Sequence, residues 1–300
     1  MASAMDALID PAAELQCLGT GYEFTEGPVW VAAEGCFYFS DIPGDTRWRW
    51  SEARGMEVAM RPTFKGNGMA LDRQGTLLVC EQVSSCLVRF RPDGERELVA
   101  FHYRGRYLNS PNDVVTRGAD GSIYFTDPDY GRWNDWIGQE RSRELGYRGL
   151  YRVPPDGGEL ELLVAEDEFD QPNGLCFSPD EKLLYVNDSA ARNVKVLDVA
   201  PDGSLGPSRL LHEGIGTGVP REGNVDGMEC DEHGNVWVTG PGGVWVLTPD
   251  GELLGVVETP EVCGSLAWGG DDLRSLFLCT TTTAHIVQTL VAGAPLPPDL

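Results

Sequence analysis

Asp231-Glu232-His233-Gly234-Asn235-Val236-Trp237-Val238-Thr239 reads as a tight turn feeding an alternating, half-buried strand. The same phrase occurs five more times. Ala33-Glu34-Gly35 precedes Cys36 to Ser40, Asp72-Arg73-Gln74-Gly75 precedes Thr76 to Cys80, and Ala119-Asp120-Gly121 precedes Ser122 to Thr126. Ser178-Pro179-Asp180-Glu181 precedes Lys182 to Asn187, and Gly269 to Asp272 precedes Leu273 to Cys279. The copies recur at about 40 to 60 residues, the range of four-stranded propeller blades and too long for leucine-rich or ankyrin units. Six copies predict an all-β fold, a six-bladed β-propeller with four antiparallel strands per blade. Third and fourth strands follow most turns, as in Cys86 to Arg91 then Glu97 to Phe101, and no helical periodicity interrupts them.

The last repeat has no fourth strand of its own, because His285 to Val291 runs into the proline-rich stretch 292–300. Glu14 to Gly19, just ahead of the first inner strand, is expected to supply it, closing the ring and protecting both edges. The chain then reads as one domain over residues 1–300, with 1–12 and 292–300 as flexible or extended termini.

Composition limits the partners. The formal net charge of −24 disfavours nucleic acid and anionic membranes, which call for a basic face. No apolar run is long enough to span a bilayer. The N-terminus, with Asp6 and Asp10, lacks the basic and apolar regions of a secretory signal. Eight cysteines without C-x-x-C spacing sit mostly in apolar strands, which suggests reduced core filler and a cytoplasmic protein. There is no G-x-S-x-G elbow, H-E-x-x-H or Walker loop, and His102, His212, His233 and His285 fall at unrelated repeat positions. G-H and W-D signatures of interaction propellers are absent as well.

One position of the repeat carries chemistry. At the start of the six inner strands stand Glu26, Asn67, Asn112, Asn173, Asp226 and the Gly264-Ser265 pair. Inner strands line a propeller's channel, so side chains in this register converge at one mouth. Two carboxylates and three amides offer oxygen donors suited to a hard divalent cation. Asn before Gly or Asp also makes Asx turns at strand entries. That reading does not cover Glu26 and Asp226, which share the register.

Several phrases carry a resemblance: Glu26-Gly27-Pro28-Val29-Trp30, Leu108-Asn109-Ser110-Pro111-Asn112-Asp113-Val114, Tyr124-Phe125-Thr126-Asp127-Pro128, Gln171-Pro172-Asn173-Gly174-Leu175 and Asp226-Gly227-Met228. In combination, over about Glu14 to His285, they resemble the SMP-30, gluconolactonase, regucalcin and luciferin-regenerating enzyme family of six-bladed propellers, and most of all its bacterial gluconolactonases. The resemblance implies a metal-dependent hydrolase that opens sugar lactones to aldonic acids. Its one divalent ion, Ca²⁺ first and Mg²⁺, Mn²⁺, Fe²⁺ or Zn²⁺ otherwise, would be held by Glu26, Asn173 and Asp226. Asp226 is the expected catalytic base, with Asn112, Asn67 and Asp127 at the substrate. Alternatives on the same scaffold are a hydrolase of other lactones, aryl esters or organophosphates, or a non-catalytic calcium-binding propeller.

Two departures bear on the substrate. Ser110 stands where the regucalcin-like branch often has an arginine that contacts the sugar, and Gly264-Ser265 stands where a Thr or Ser followed by Asn is common. The repeat is also interrupted between Asp129 and Arg148 by a segment holding Tyr130, Trp133, Trp136 and Tyr147. So long a connection suggests a lid over the channel mouth, with aromatic faces for a sugar ring.

Overall fold

The alternating strands pair as the repeat predicts. In the computed structural model, which describes residues 3–295, six four-stranded antiparallel sheets follow one another around a central channel. Their inner strands are Thr25–Val31, Gly66–Leu71, Val114–Thr116, Pro172–Phe177, Met228–Cys230 and Cys263–Gly269. The second strands are Cys36–Asp41, Leu77–Glu81, Ile123–Asp127, Leu183–Asp188, Val236–Gly240 and Ser275–Thr280. The closing strand, Gln16–Thr20, pairs antiparallel with Thr283–Gln288 of the sixth blade. The ring is thus closed by the N-terminal segment.

The apolar core is divided among the gaps between neighbouring blades. Phe37 and Phe39 of blade 1 pack against Phe277 of blade 6, with Phe37 stacked on Phe277 at 4.9 Å between centroids. Leu78 and Leu87 of blade 2 meet Val114, Phe125 and Tyr151 of blade 3 in the same manner. Each blade therefore needs both neighbours to bury its two faces. A small hairpin, His102–Tyr103 with Arg106–Tyr107, adds to the blade 2 to blade 3 connection and was not visible in the periodicity. No helix among the described residues is long and apolar enough to cross a membrane.

The termini correct the sequence reading. Residues Ala4–Ala7 form a 3₁₀ turn, and Leu8 is 6% exposed within the core of blades 5 and 6. Met5, Leu8 and Ile9 are packed because their apolar side chains cover the gap between those blades. At the other end, Gly293 bridges to Asp231 and the Ala294 amide donates to the Cys230 carbonyl. Residues 296–300 of the expected tail lie outside the described residues. All eight cysteines are unpaired, seven of them buried.

Candidate active site

The register residues come together because each inner strand breaks its ladder at or just before them. Bulges fall between Glu26 and Val29, Gly66 and Met69, Pro172 and Leu175, and Cys263 and Ser265. In blades 3 and 5 regular pairing begins only after Asn112 and Asp226. A bulge re-aims the side chain at the irregularity, here toward the axis. Glu26, Asn67, Asn112 and Asn173 are buried, at 4% to 5% exposure.

A repeated device locks that ring. The penultimate residue of the second strand donates to the backbone carbonyl of the next blade's register residue: Ser40 Oγ to Asn67 at 2.9 Å, Thr126 Oγ1 to Asn173 at 2.7 Å, Asn187 Nδ2 to Asp226, and Thr239 Oγ1 to Gly264 at 3.3 Å. Blades also approach closely at Gly174, where a Cβ would lie 2.2 Å from the Asp226 carbonyl oxygen. Gly264 leaves room for an acid: a Cβ there would stand 2.6 Å from Glu26 Oε1. The missing polar side chain in blade 6 is thus the space that Glu26 occupies.

At the centre the Glu26 and Asp226 carboxyl groups adjoin, and Asn173 approaches Asp226. Asn173 Nδ2 donates to Ser189 Oγ at 3.0 Å, and Ser189 donates in turn to the Val225 carbonyl. With its amide nitrogen so engaged, Asn173 has its oxygen left as the donor atom for a ligand. Burial, followed by Asp226, pushes the Glu26 carboxyl well above its ordinary value, against the Gly27 amide that donates to it at 2.8 Å. Burial pushes Asp226 up to about 8, opposed by Asn173 and reinforced by Asp113. Asp113, next to Asn112, is itself pushed up to about 7 by burial, against the Val114 and Leu175 amides.

No Lys, Arg or His among the described residues pairs with Glu26 or Asp226 within 4.0 Å. Two adjoining buried carboxyls without a counter-ion, beside an oriented amide oxygen, fit a divalent cation, which would neutralise both. No group of three or more His, Cys, Asp or Glu among the described residues is placed to hold an ion without help. An ion here would therefore draw on the amides.

Asp127, expected at the substrate, holds a loop. It is 0% exposed, and its two oxygens accept the backbone amides of Asn109 and Ser110, each at 2.8 Å. Burial pushes its carboxyl up to about 7, against those amides. Asp41 does the same for Glu23 and Phe24, and Asp188 for Asp170 and Gln171. In three blades, then, an acid ending the second strand holds the loop that enters the inner strand. Asp127 holds the loop that carries Asn112, with each oxygen on a backbone amide and no exposed surface.

The segment after Asp127 crosses the mouth. Arg132 donates to the Leu108 and Asn109 carbonyls, and the Gly131 amide donates to Ser110 Oγ at 2.9 Å. Ser110, at the position of the sugar-binding arginine of the regucalcin-like branch, thus anchors the segment. Trp136 reaches Phe24 of blade 1 at 5.8 Å between centroids, and its carbonyl accepts Lys65 Nζ of blade 2 at 3.1 Å. Asp129 is clasped by Gln171, Trp133, Arg148 and Arg143, and these partners outweigh burial to hold its carboxyl below the ordinary range. The segment therefore bridges blades 1 to 4.

Sequence reasoning named Tyr130 as one aromatic of this segment but not its place beside Ser189 and Asn173. Its hydroxyl approaches Ser189 and Asn173 in the field of Asp226, so the segment brings a phenol near the Asp226 side of the site. Only the path of the lid reveals this, and strand periodicity carries no signal of that path.

The profile of the SMP-30/Gluconolactonase/LRE-like region matches residues 24–282. The chain belongs to this family. A gluconolactonase of Zymomonas mobilis is 31% identical, over 96% of this chain and 85% of its own length. A 6-deoxy-6-sulfogluconolactonase of Pseudomonas putida is 28% identical, over 88% of this chain and 86% of its own. The solved structure of a Xanthomonas campestris gluconolactonase superposes with a TM-score of 0.88 at 32% identity, covering 96% of this chain and 93% of that one. Membership in the SMP-30 and gluconolactonase family agrees with the six-bladed ring and with the matched phrases around Glu26, Asn173 and Asp226.

Proposed function

We propose that this protein is a lactonase that hydrolyses sugar lactones to aldonic acids and depends on one divalent ion, Ca²⁺ first, held by Glu26, Asn173 and Asp226. The reading is carried by the adjoining Glu26 and Asp226 carboxyls beside the oriented oxygen of Asn173, and it is supported by the gluconolactonases among the relatives. When bound, such an ion polarises the lactone carbonyl and stabilises the negative charge that develops on it.

The protein's own groups divide the remaining work. Glu26 keeps one oxygen on the Gly27 amide, whereas the groups acting on Asp226 are side chains alone, so Asp226 is the freer of the two to accept the proton of an attacking water. Asn112 and Asn67 face the same mouth and can orient sugar hydroxyls. Tyr130 is placed to hydrogen-bond the substrate, and the lid limits entry of bulk water.

Replacing Asp226 by Asn keeps a ligand oxygen but removes the base. Hydrolysis of glucono-1,5-lactone followed with a pH indicator should fall by roughly 10²–10⁴-fold in Asp226→Asn. A near-normal rate would remove Asp226 from the mechanism.

A further inference from the structure

Below the register residues the channel has a second ring, three positions further along each inner strand. It consists of Val29, Ala70, Val115, Cys176, Glu229 and Ala267. Five blades place a small or apolar side chain there and one places a carboxylate. Met228 and Cys230 pack in the core between blades 4 and 5, so Glu229 between them turns to the other face of the strand, where it lines the channel. Glu229 forms no ion pair among the described residues, and the Cys230 backbone amide donates to its carboxyl.

This ring floors a cavity of about 630 Å³ that opens at the mouth opposite the carboxylate pair. Trp30, Phe177 and Trp268 stand in its wall with Met69 and Leu71. Of the acids at its rim, Glu181 is spent on the Gly118 and Ala119 amides and Asp180 on Lys182, and Arg73 is the cation of the lining. The volume lies in the range of small-molecule sites, and a largely apolar wall with a few placed polar groups is their usual composition; Glu229 is the acid on the channel side of this one.

We propose that this far mouth is a second binding site, for a small organic cation with an apolar or aromatic body, its ammonium on Glu229 and its body among Trp30, Phe177 and Trp268. A carboxylate in an apolar channel is costly without a partner, and an ammonium supplies one. Burial and then Asp113 push the Glu229 carboxyl up to about 8, which marks the absence of a compensating charge. Aromatic faces add attraction for a desolvated cation. A neutral or anionic ligand leaves the acid protonated, whereas an ammonium stabilises its carboxylate form. The site is separate from the mouth of Glu26 and Asp226, and the inference does not depend on the lactonase reading.

The test compares 2-phenylethylammonium with 2-phenylethanol, its neutral counterpart, by isothermal titration calorimetry on the whole chain in about 0.15 M salt, which screens the general acidity of the surface. The ammonium should bind one per chain and at least about tenfold more tightly than the alcohol. Glu229→Gln should lose that advantage while still binding the alcohol, and its thermal melt reports that the fold is kept. Equal binding of the two probes, an unchanged ammonium affinity in Glu229→Gln, or no saturable binding would each overturn the proposal. If Glu229→Gln fails to fold, filling the ring with Ala267→Leu should block the ammonium, and undiminished binding there would equally overturn it.

Discussion

Asp127 takes two backbone amides while Asp226 takes none, and that difference separates a loop-holding acid from a candidate base. Asp127→Asn keeps the shape but sets an NH₂ against a backbone donor. It should cost about 1–3 kcal/mol of stability, seen as a lower midpoint in urea. The rate should fall only as far as the Asn112 loop loosens, so a loss as deep as that of Asp226→Asn with unchanged stability would return Asp127 to the chemistry. Glu26, Asn173 and Asp226 were legible in the sequence because a strand repeat has a register. The role of Asp127 was written there too, in the pairs Ser40-Asp41, Thr126-Asp127 and Asn187-Asp188. Those pairs yield it only when the three blades are aligned on the second strand. The place of Tyr130 was not legible, because no period governs where a loop lays its side chains.

The lid is the element with the most separate anchors. Arg132 on Leu108 and Asn109, Ser110 on Gly131 and the Asp129 clasp hold its base. Trp133 and Trp136 remain half exposed, at 53% and 50%. Replacing residues 133–138 by a short Gly-Ser link should leave the base and the propeller intact and raise KM several-fold for a sugar lactone, with a smaller change in kcat. An unchanged KM would show that the outer lid does not touch substrate. That a segment leaves the repeat after Asp129 could be read from the spacing, whereas its attachment to blades 1 and 2 depends on contacts distant in sequence, such as Lys65 with Trp136.

For the whole molecule, closure is the main structural event, and it rests on the N-terminal segment. Gln16–Thr20 covers the edge of blade 6, while Met5, Leu8, Ile9 and Leu15 pack with blades 5 and 6. Each well-buried apolar side chain is worth about 1.5–3 kcal/mol. A chain this long shifts its melting temperature by about 2–4 °C per kcal/mol. Deleting residues 1–20 should therefore lower Tm by roughly 10 °C or more and expose a strand edge that promotes association. An unchanged melt would mean that the ring holds without its closing strand. The blade count and the closing strand could be read from turn spacing, but the packing of Leu8 could not, since a short apolar segment does not name the gap it fills. The function proposed for the closed ring rests on a cation between Glu26 and Asp226. The direct test is hydrolysis of glucono-1,5-lactone by chelator-treated protein, with Ca²⁺, Mg²⁺, Mn²⁺, Fe²⁺ and Zn²⁺ added back singly to the wild type and to Glu26→Gln. The wild type should regain a rate above the spontaneous background with one ion per chain, and Glu26→Gln should not; full activity after chelation, or equal recovery in Glu26→Gln, would contradict the account.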